Sequence, residues 1–414
     1  MATYNFDGEY ASFNERQLEF ISNVISELDI KAKKVVFKVV GQAGDNFIGH
    51  VRRLCIEGEN GNVNMIVKVA ASTENARAAT NAHITFYNEH IMYTEVLPKL
   101  VELQKAAGVP EEDRLKYAKC YGSFHEPPYE TLILEDLNDS NYIMLNKFEP
   151  LSDECVRSIL KNFALLHSLS QVLEIQEPET HAAITKKLTE MWSNVFSKEN
   201  FSEQAKIVEA EVLSVLDDDH DKSYIENKLP EFIDLLAQVL EKEDHKYSVI
   251  QQGDAWTNNF MFKLASESIQ TIMIDYQASS NGNPAVDLLF MLLTCTDHAS
   301  RSIHFHDWMD YYHSEYDKSL SAFGLKADLV YPRTQLSADL KKYGRVMFYL
   351  CITFNTFLMR DSREAGELSE AIKNVAAEER SELIKKQKLG VETINRIKNR
   401  VIGIINTYEQ FDLY

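Results

Sequence analysis

Three polar residues in the second half of the chain are spaced so that they could take part in one reaction. Asp254 and Asn259 lie in the polar stretch "GDAWTNN", and Asp275 ends the apolar run "TIMID". A carboxylate beside a hydroxyl can accept its proton, and an amide oxygen with a second carboxylate can bind Mg²⁺. Kinase-like phosphotransferases place these groups in this order. Each residue alone would also suit an ordinary turn, so the order of the three is what favours phosphate transfer.

Two charged residues in the first half could hold the phosphates of a nucleotide. Lys68 lies inside the apolar segment "MIVKVA", and Glu89 follows in a segment with helical spacing. In protein kinases a strand lysine contacts the α- and β-phosphates and is held by a glutamate of the next helix. For an isolated strand, a lysine that faces solvent is the alternative.

A glycine-bearing segment, "VVGQAGDNFIGH", precedes Lys68 and contains Gly41, Gly44 and Gly49. Glycines let the backbone turn close to phosphates. The spacing is not G-x-G-x-x-G, so a plain hairpin remains the alternative here. The sequence contains no G-x-x-x-x-G-K-[ST] motif, which excludes a P-loop enzyme.

The elements that must position these residues change in character near residue 138. Before it, short β-like segments surround one helical segment, and after residue 150 helical patterns dominate, with strands returning only near 247–263 and 269–275. The β-like segments are 34–40, 50–58, 63–70 and 130–137, and the helical one is 81–108. The pattern predicts an α+β protein with a small β-rich N-lobe, residues 1–137, and a larger, mostly helical C-lobe, residues 138–414. Asp254 and Asn259 are predicted to cap a small hairpin.

Composition narrows the class of partner. The net charge is −20, and a protein that binds the phosphate backbone of a nucleic acid needs a cationic face. We therefore expect no nucleic-acid partner. Five scattered cysteines without C-x-x-C spacing favour reduced thiols in the cytoplasm. No secretory signal is visible, and the apolar run 346–359 is too short to span a bilayer and predicts a buried helix. We therefore expect no membrane partner, while the oligomeric state stays open.

Taken together, these motifs resemble the insect ecdysteroid-kinase-like group. The resemblance rests on "QGDAWTNNFMF", on "IDYQASSNGNPAVDLLFMLLTC", and on "LILEDL" and "FALLHSLS". That group belongs with choline kinases and aminoglycoside phosphotransferases. The resemblance implies a protein-kinase-like two-lobed fold, ATP with Mg²⁺, and phosphorylation of a small-molecule alcohol.

The resemblance also implies a role for each candidate residue. Asp254 would be the catalytic base, Asn259 and Asp275 the metal ligands, and Lys68 with Glu89 the pair that holds the phosphates. Gly41 and Gly44 would border the phosphates, and segment 134–137, with Glu135 and Leu137, would be the hinge beside adenine. Asp287 would brace the catalytic loop, with a helix N-cap as the alternative.

One departure from the family pattern is Gln252, which stands where members usually carry His. A Gln amide can both donate and accept hydrogen bonds, so the substitution concerns the rigidity of the loop more than its chemistry. The alternatives are a choline- or ethanolamine-type kinase and a nucleotide-binding pseudokinase. The absence of H-R-D, D-F-G and A-P-E signatures argues against a protein kinase.

The expected acceptor is a hydroxylated, largely apolar molecule such as an ecdysteroid. Segments 288–295 and 346–359 are rich in Phe, Met and Leu and could wall a cleft for it. Choline would instead need an aromatic cage with acids, which "HDWMDYYHSEY" at 306–316 could supply. In the same region His304, His306 and His313 form a poor zinc pattern, and an amphipathic helix with packed aromatic residues is favoured.

Overall fold

The structure is a computed structural model, and it describes residues 4–41, 49–196, 198–241, 245–265, 268–374 and 387–414. Up to Glu135 the described chain forms a sheet with helices beside it, and the remainder is mostly helical. This is the predicted α+β architecture of a small β-rich part followed by a larger helical part.

Within the described residues, six strands form the N-terminal sheet, in the order β1-β2-β3-β4-β6-β5. They are β1 (Phe6–Gly8), β2 (Ala32–Val39), β3 (Gly49–Gly58), β4 (Gly61–Ala70), β5 (Cys120–Phe124) and β6 (Thr131–Glu135). Only β1 and β2 among these neighbours pair in parallel. One face of the sheet, including Val67 and Val69, packs on helix α1 (Glu15–Glu27). Because side chains alternate along a strand, Lys68 points to the opposite face.

The segment between β4 and β5 is helical and carries Glu89. It comprises α2 (Glu74–Ala79), α3 (Ala82–Ile91), a π-helical turn (Met92–Val96) and α4 (Leu97–Ala106). The sequence predicts one helix over 81–108, and α3, the π-helical turn and α4 follow one another without a break. Met92, Val96 and Leu100 are fully buried in the main core, which fixes α3 beside the sheet.

The helical part begins after a 3₁₀ turn (Leu137–Ser140) and packs around a single large apolar core. Its helices are α5 (Asp153–Gln176), α6 (Pro178–Thr185), α7 (Trp192–Val195), α8 (Lys198–Val215), α9 (Asp219–Ser223), α10 (Leu229–Glu241), α11 (Pro284–Cys295), α12 (His298–Ser321), α13 (Ala327–Val330), α14 (Arg333–Leu358), α15 (Ser362–Asn374) and α16 (Val391–Phe411). Helix α11 is apolar on all sides and almost wholly buried, as such helices must be.

Two small sheets flank the loop of residues 251–259. Strand β9 (Phe260–Leu264) pairs with β10 (Ile269–Met273) and with β7 (Ile143–Met144). Strand β8 (Val249–Ile250) pairs instead with β11 (Asn281–Gly282). The prediction that Asp254 and Asn259 cap a hairpin is therefore wrong. The backbone before the loop is hydrogen-bonded to residues 280–282, so the strands on its two sides belong to different sheets.

The sequence prediction missed two strands of the N-terminal part, β1 and β5, and two α-helices, α1 and α2. Helix α1 does carry a local signal, because Asn14 and Gln17 form a reciprocal capping box at its start. The segment with His304, His306 and His313 forms part of α12, whose Trp308 and Tyr312 are buried as expected for an amphipathic helix. The run 346–359 lies mostly in α14 and is largely buried. Of the helices described, none has the length and apolar character needed to cross a membrane.

Candidate active site

The lysine of β4 and the glutamate of α3 form a buried ion pair. Lys68 Nζ lies 2.7 Å from Glu89 Oε1, and the Glu89 side chain is fully buried. The same ammonium lies 3.3 Å from Asp275 Oδ1, so it also contacts the helical part. Burial lowers the pKa of Lys68, but the charges of Asp275 and Glu89 raise it by more, and the net pKa lies above the usual value. Lys68 therefore remains a cation in the cleft.

The loop that carries Asp254 begins with a turn that requires glycine. Gly253 has a φ of +82°, and a Cβ at this position would lie 2.1 Å from the carbonyl oxygen of Ala278. Any other residue would be strained by its backbone conformation and would also collide with that backbone. The carbonyl of Gly253 accepts a hydrogen bond from the Trp192 indole at 3.0 Å.

Asp287, at the start of α11, holds the same turn through its carboxylate. Its two oxygens accept the backbone N–H groups of Gln252 at 2.8 Å and Gly253 at 2.9 Å. His167 Nε2 lies 3.2 Å from Asp287 Oδ2, and both side chains are buried. These contacts are the brace that the sequence predicts for Asp287, while the N-cap of α11 is Asn283.

Gln252 connects the Asp254 loop to the Asp275 loop. Its side-chain oxygen accepts the backbone N–H of Asp254 at 2.7 Å. Its side-chain nitrogen donates to the carbonyl oxygens of Ile274 at 3.1 Å and Asp275 at 3.0 Å. The side chain of Gln252 therefore uses both its donor and its acceptor, and the loop is held on both sides.

Asn259 lies beside Asp254 at the end of the 3₁₀ turn Thr257–Asn259. Its side-chain nitrogen donates to Asp254 O at 2.7 Å and to Asp254 Oδ2 at 3.0 Å. The amide is thus oriented by Asp254, which leaves its oxygen as the atom that could bind a cation.

Asp275 has a left-handed backbone conformation, with a φ of +61°, which is uncommon for residues other than glycine and is concentrated at functional sites. Its Oδ1 is buried and makes no hydrogen bond, although the ammonium of Lys68 lies 3.3 Å away. Burial and the charge of Asp275 raise the pKa of Asp254 to about 7. Two carboxylates that disfavour each other's charge, together with an unbonded oxygen, fit a site for a divalent cation.

The donor set also indicates which cation would fit. In the described part of the chain, His, Cys, Asp and Glu form no group of three that could bind a metal. A cation here would therefore take Asp275 and Asn259 from the protein and its other ligands from phosphate or water. Mg²⁺ commonly binds in this way, through one or two carboxylates plus substrate phosphates.

Lys68, Asp254, Asn259 and Asp275 line one cavity of about 290 Å³. At the sheet side it is bordered by Gly49 and Val51, and at the other side it has an apolar wall. That wall comprises Met191, Trp192, Val195, Phe354, Phe357, Leu358 and Leu368. The cavity therefore joins charged groups that suit phosphates to an apolar surface that suits a second molecule.

The remaining predicted residues lie elsewhere. Glu89 stands behind Lys68 and does not line the cavity. Glu135 and Leu137 line a different cavity, and the Glu135 N–H already donates to Lys119 O. Gly41 is exposed after β2, while Gly44 lies outside the described residues.

Several residues of the cavity wall were not found from the sequence. Trp192 and Phe357 come from separate helices, and neither lies near a motif, so no spacing in the sequence connects them. Gln277 could have been found from the sequence, because it lies only two positions after Asp275 in "IDYQ". Its side-chain nitrogen lies 3.5 Å from Glu89 Oε2.

The order of these elements defines the class of the protein. A mostly antiparallel sheet carries a lysine that is paired with a helix glutamate. A helical part carries the Asp–Asn loop and then, after a hairpin, Asp275. This is the arrangement of a protein-kinase-like fold. The sequence profile of the Ecdysteroid kinase-like family matches residues 43–325, more than half of the chain, and the protein belongs to that family. Family membership supports a small-molecule kinase.

Similar solved structures include enzymes that act on small molecules. An ethanolamine kinase from Plasmodium vivax is 12% identical, with a TM-score of 0.42 over 96% of this chain and 84% of that chain. A spectinomycin phosphotransferase in complex with ADP and spectinomycin is 13% identical, with a TM-score of 0.45 over 95% and 98%. A microcompartment-associated aminopropanol kinase is 10% identical, with a TM-score of 0.44 over 96% and 99%. No curated protein sequence matches the chain.

We expect the carboxyl of Asp254 to titrate with a pKa of about 7. The substitution Asp275→Asn should lower that pKa, because the substitution removes the neighbouring negative charge. The native pKa lies above the pKa in the unfolded chain, so this group lowers the free energy of unfolding as pH rises from about 4 to 7. Carboxyl ¹³C NMR, assigned with Asp254→Asn, measures the pKa directly. Titration of Asp254 near its ordinary value in the wild type would contradict the expectation.

Proposed function

We propose that this protein is an ATP- and Mg²⁺-dependent kinase that transfers the γ-phosphate to a hydroxyl group of a small, largely apolar alcohol. The observation that carries the proposal is the joint placement of Lys68, Asp254, Asn259 and Asp275 on one cavity. Membership of the Ecdysteroid kinase-like family supports the same class of reaction.

Each of these side chains has a role that its contacts support. Lys68 is held as a cation by Glu89 and Asp275, so it can bind the phosphates of the nucleotide. Asp254 accepts the proton of the acceptor hydroxyl. A pKa of about 7 suits this role, because a general base works best when its pKa is near the working pH. Asn259 fixes one oxygen of that carboxylate, and the proton can be accepted at the other.

Asp275 and Asn259 would hold the metal ion. A Mg²⁺ ion held there would supply positive charge to offset the negative charge that develops on the phosphates. The chain contributes the position of these ligands: Gln252 holds the backbone of Asp275, and Asp254 orients the amide of Asn259. This network also argues against the pseudokinase alternative, which depends on a loop loosened at Gln252.

The apolar wall of the cavity supports an apolar acceptor. Phe354, Phe357 and Leu358 of α14 face this cavity together with Trp192. The segment 346–359 thus contributes to the wall, as the sequence suggests, whereas 288–295 is buried and lines none of it. The family makes an ecdysteroid the first acceptor to test.

Choline or ethanolamine is the second candidate acceptor. An aromatic wall can bind a quaternary ammonium group, but such a ligand is best held with an acid beside it. The acids that line this cavity are Asp254 and Asp275, and the reaction uses both. The segment 306–316, considered as a cage for choline, lies in α12 and contributes nothing to the cavity. The cavity therefore favours the apolar acceptor.

The substitution Asp254→Asn should lower kcat by about two to four orders of magnitude, the range for loss of a positioned general base. The KM for ATP should change little, because this carboxylate serves the acceptor hydroxyl. Asp139→Asn, an exposed position outside the cavity, is the matched control and should retain full activity. Near-wild-type turnover of Asp254→Asn in a coupled ADP-release assay would remove Asp254 from its role.

The substitutions Lys68→Met and Glu89→Gln should be strongly non-additive in their effect on kcat/KM for ATP. Met keeps the apolar stem of the lysine in the strand, so the loss reports the missing cation. Once that cation is absent, Glu89 has nothing to position, and the double variant should be little worse than Lys68→Met alone. Independent, additive effects in this double-mutant cycle would show that the ion pair is not used in nucleotide binding.

The substitution Phe357→Asn should raise the KM for an apolar alcohol by about tenfold, because it removes apolar contact area from the wall. The KM for ATP should stay constant. Phe323→Asn, at another partly exposed phenylalanine that does not line this cavity, is the control.

Phosphate transfer to ecdysteroids and to choline should be measured side by side. Efficient transfer to choline with none to any apolar alcohol would overturn the acceptor class and leave the kinase mechanism intact.

A further inference from the structure

A second cavity, of about 600 Å³, lies between α4 and the β9–β10 hairpin. Lys105 of α4, the segment 114–117, and Glu135 and Leu137 at the end of β6 form part of its wall. It shares no lining residue with the cavity that contains Lys68 and Asp254. Its volume lies within the range of small-molecule sites. It is therefore distinct from the cavity that holds the candidate catalytic residues.

Four cationic side chains line this second cavity: Lys105, Arg114, Lys116 and Lys263. Within the described part of the chain, the ammonium groups of Lys105 and Lys116 have no hydrogen bond and no ion pair. In the same described part, Lys263 has no hydrogen bond and no ion pair, and its ammonium lies 5.8 Å from the centre of the Tyr142 ring.

Among the described residues, Arg114 donates a hydrogen bond only through its Nε, to the carbonyl oxygen of Val109 at 2.8 Å, which leaves its two terminal nitrogens for another partner. Acids are fewer at this cavity: of the described residues that line it, only Glu111 and Glu135 are acidic. The chain as a whole has a net charge of −20, and many of its surface lysines, such as Lys31 and Lys34, lie near glutamates. An excess of unpaired cations around one cavity is therefore a local feature that favours an anion.

The cavity also has an apolar surface. Leu115 and Ile272 are buried beside it, and the rings of Tyr117 and Tyr142 contribute to its wall. A bare inorganic anion would leave this surface without contact. The guanidinium group of Arg114, with two free nitrogens, matches the geometry of phosphate better than that of a halide or a single carboxylate oxygen.

We propose that this cavity binds a phosphate monoester of a small cyclic molecule. The phosphate contacts Arg114 and the neighbouring lysines, and the ring lies against Tyr117 and Tyr142. A ligand in this position touches Glu135 and Leu137, at the connection between the sheet and the helical part.

Pyridoxal 5′-phosphate is a suitable probe, because it combines a phosphate monoester with an aromatic ring and an aldehyde. The aldehyde condenses with a nearby lysine amine with loss of water, and added borohydride reduces the imine to a stable secondary amine. We expect mass spectrometry of the full-length protein to find labelling at Lys105, Lys116 or Lys263 at lower probe concentration than at Lys186, an exposed lysine away from the cavity. Phenyl phosphate, which has no aldehyde, should protect these three lysines and leave Lys186 unaffected.

The substitution Arg114→Gln tests the site without removing a lysine that reports on it. It should lower labelling of the three cavity lysines about tenfold, the scale of one lost charge-assisted hydrogen bond, with labelling of Lys186 unchanged. Lys116→Gln, read out at Lys105 and Lys263, gives the same test if Arg114→Gln does not fold. Labelling of Lys68 is recorded separately, because it reports on the other cavity. Equal labelling of the cavity lysines and Lys186, or insensitivity to both substitutions, would overturn the proposal.

Discussion

The candidate active site depends on holding two carboxylates, Asp254 and Asp275, in one partly buried cavity. Like charges at short range disfavour each other, and burial adds to the cost. The raised pKa of Asp254, about 7, is the direct sign of this conflict. Lys68 offsets part of it from the sheet, because its ammonium lies 3.3 Å from Asp275. Without compensating contacts the two loops would separate, so much of the surrounding structure serves to keep them in place.

Most of the contacts that hold the loops use backbone groups and side chains that do not line the cavity. Asp287 accepts two consecutive backbone N–H groups, and Gln252 joins the backbones of both loops. A Gln amide does not ionise, whereas a protonated His could not accept the N–H of Asp254. The connection between the loops is therefore independent of pH in the range where Asp254 changes its charge.

The sequence was a better guide to which candidate residues lie together where their grouping depends on local order. Asp254, Asn259 and Asp275 lie on neighbouring loops, and Lys68 lies in an apolar strand before the Glu89 helix, so spacing alone could relate them. Strand pairing was harder to predict, because it depends on which distant segment forms hydrogen bonds with the backbone of the strand. The partner of β8 is β11 rather than β9, and no residue in the loop between β8 and β9 indicates this pairing. The position of Glu135 and Leu137 at a different cavity could not be predicted either, because it depends on how distant segments of the chain pack together. The apolar wall was the least predictable part, because Trp192, Phe357 and Leu368 come from three separate helices.

The wall of the main cavity is shared between the two parts of the molecule. Ala79, Thr80 and Asn81 contribute from the sheet side, while Leu368 and Ser369 contribute from α15, which packs against α2. A change in the angle between the sheet and the helical part would therefore alter both ends of the cavity at once. A ligand that fits best at one angle raises the population of that angle, and the second ligand then binds to an arrangement already formed. Such coupling is reciprocal by thermodynamic necessity. Two ligands that shared this cavity would each change the affinity of the other by the same factor, without any direct contact between them.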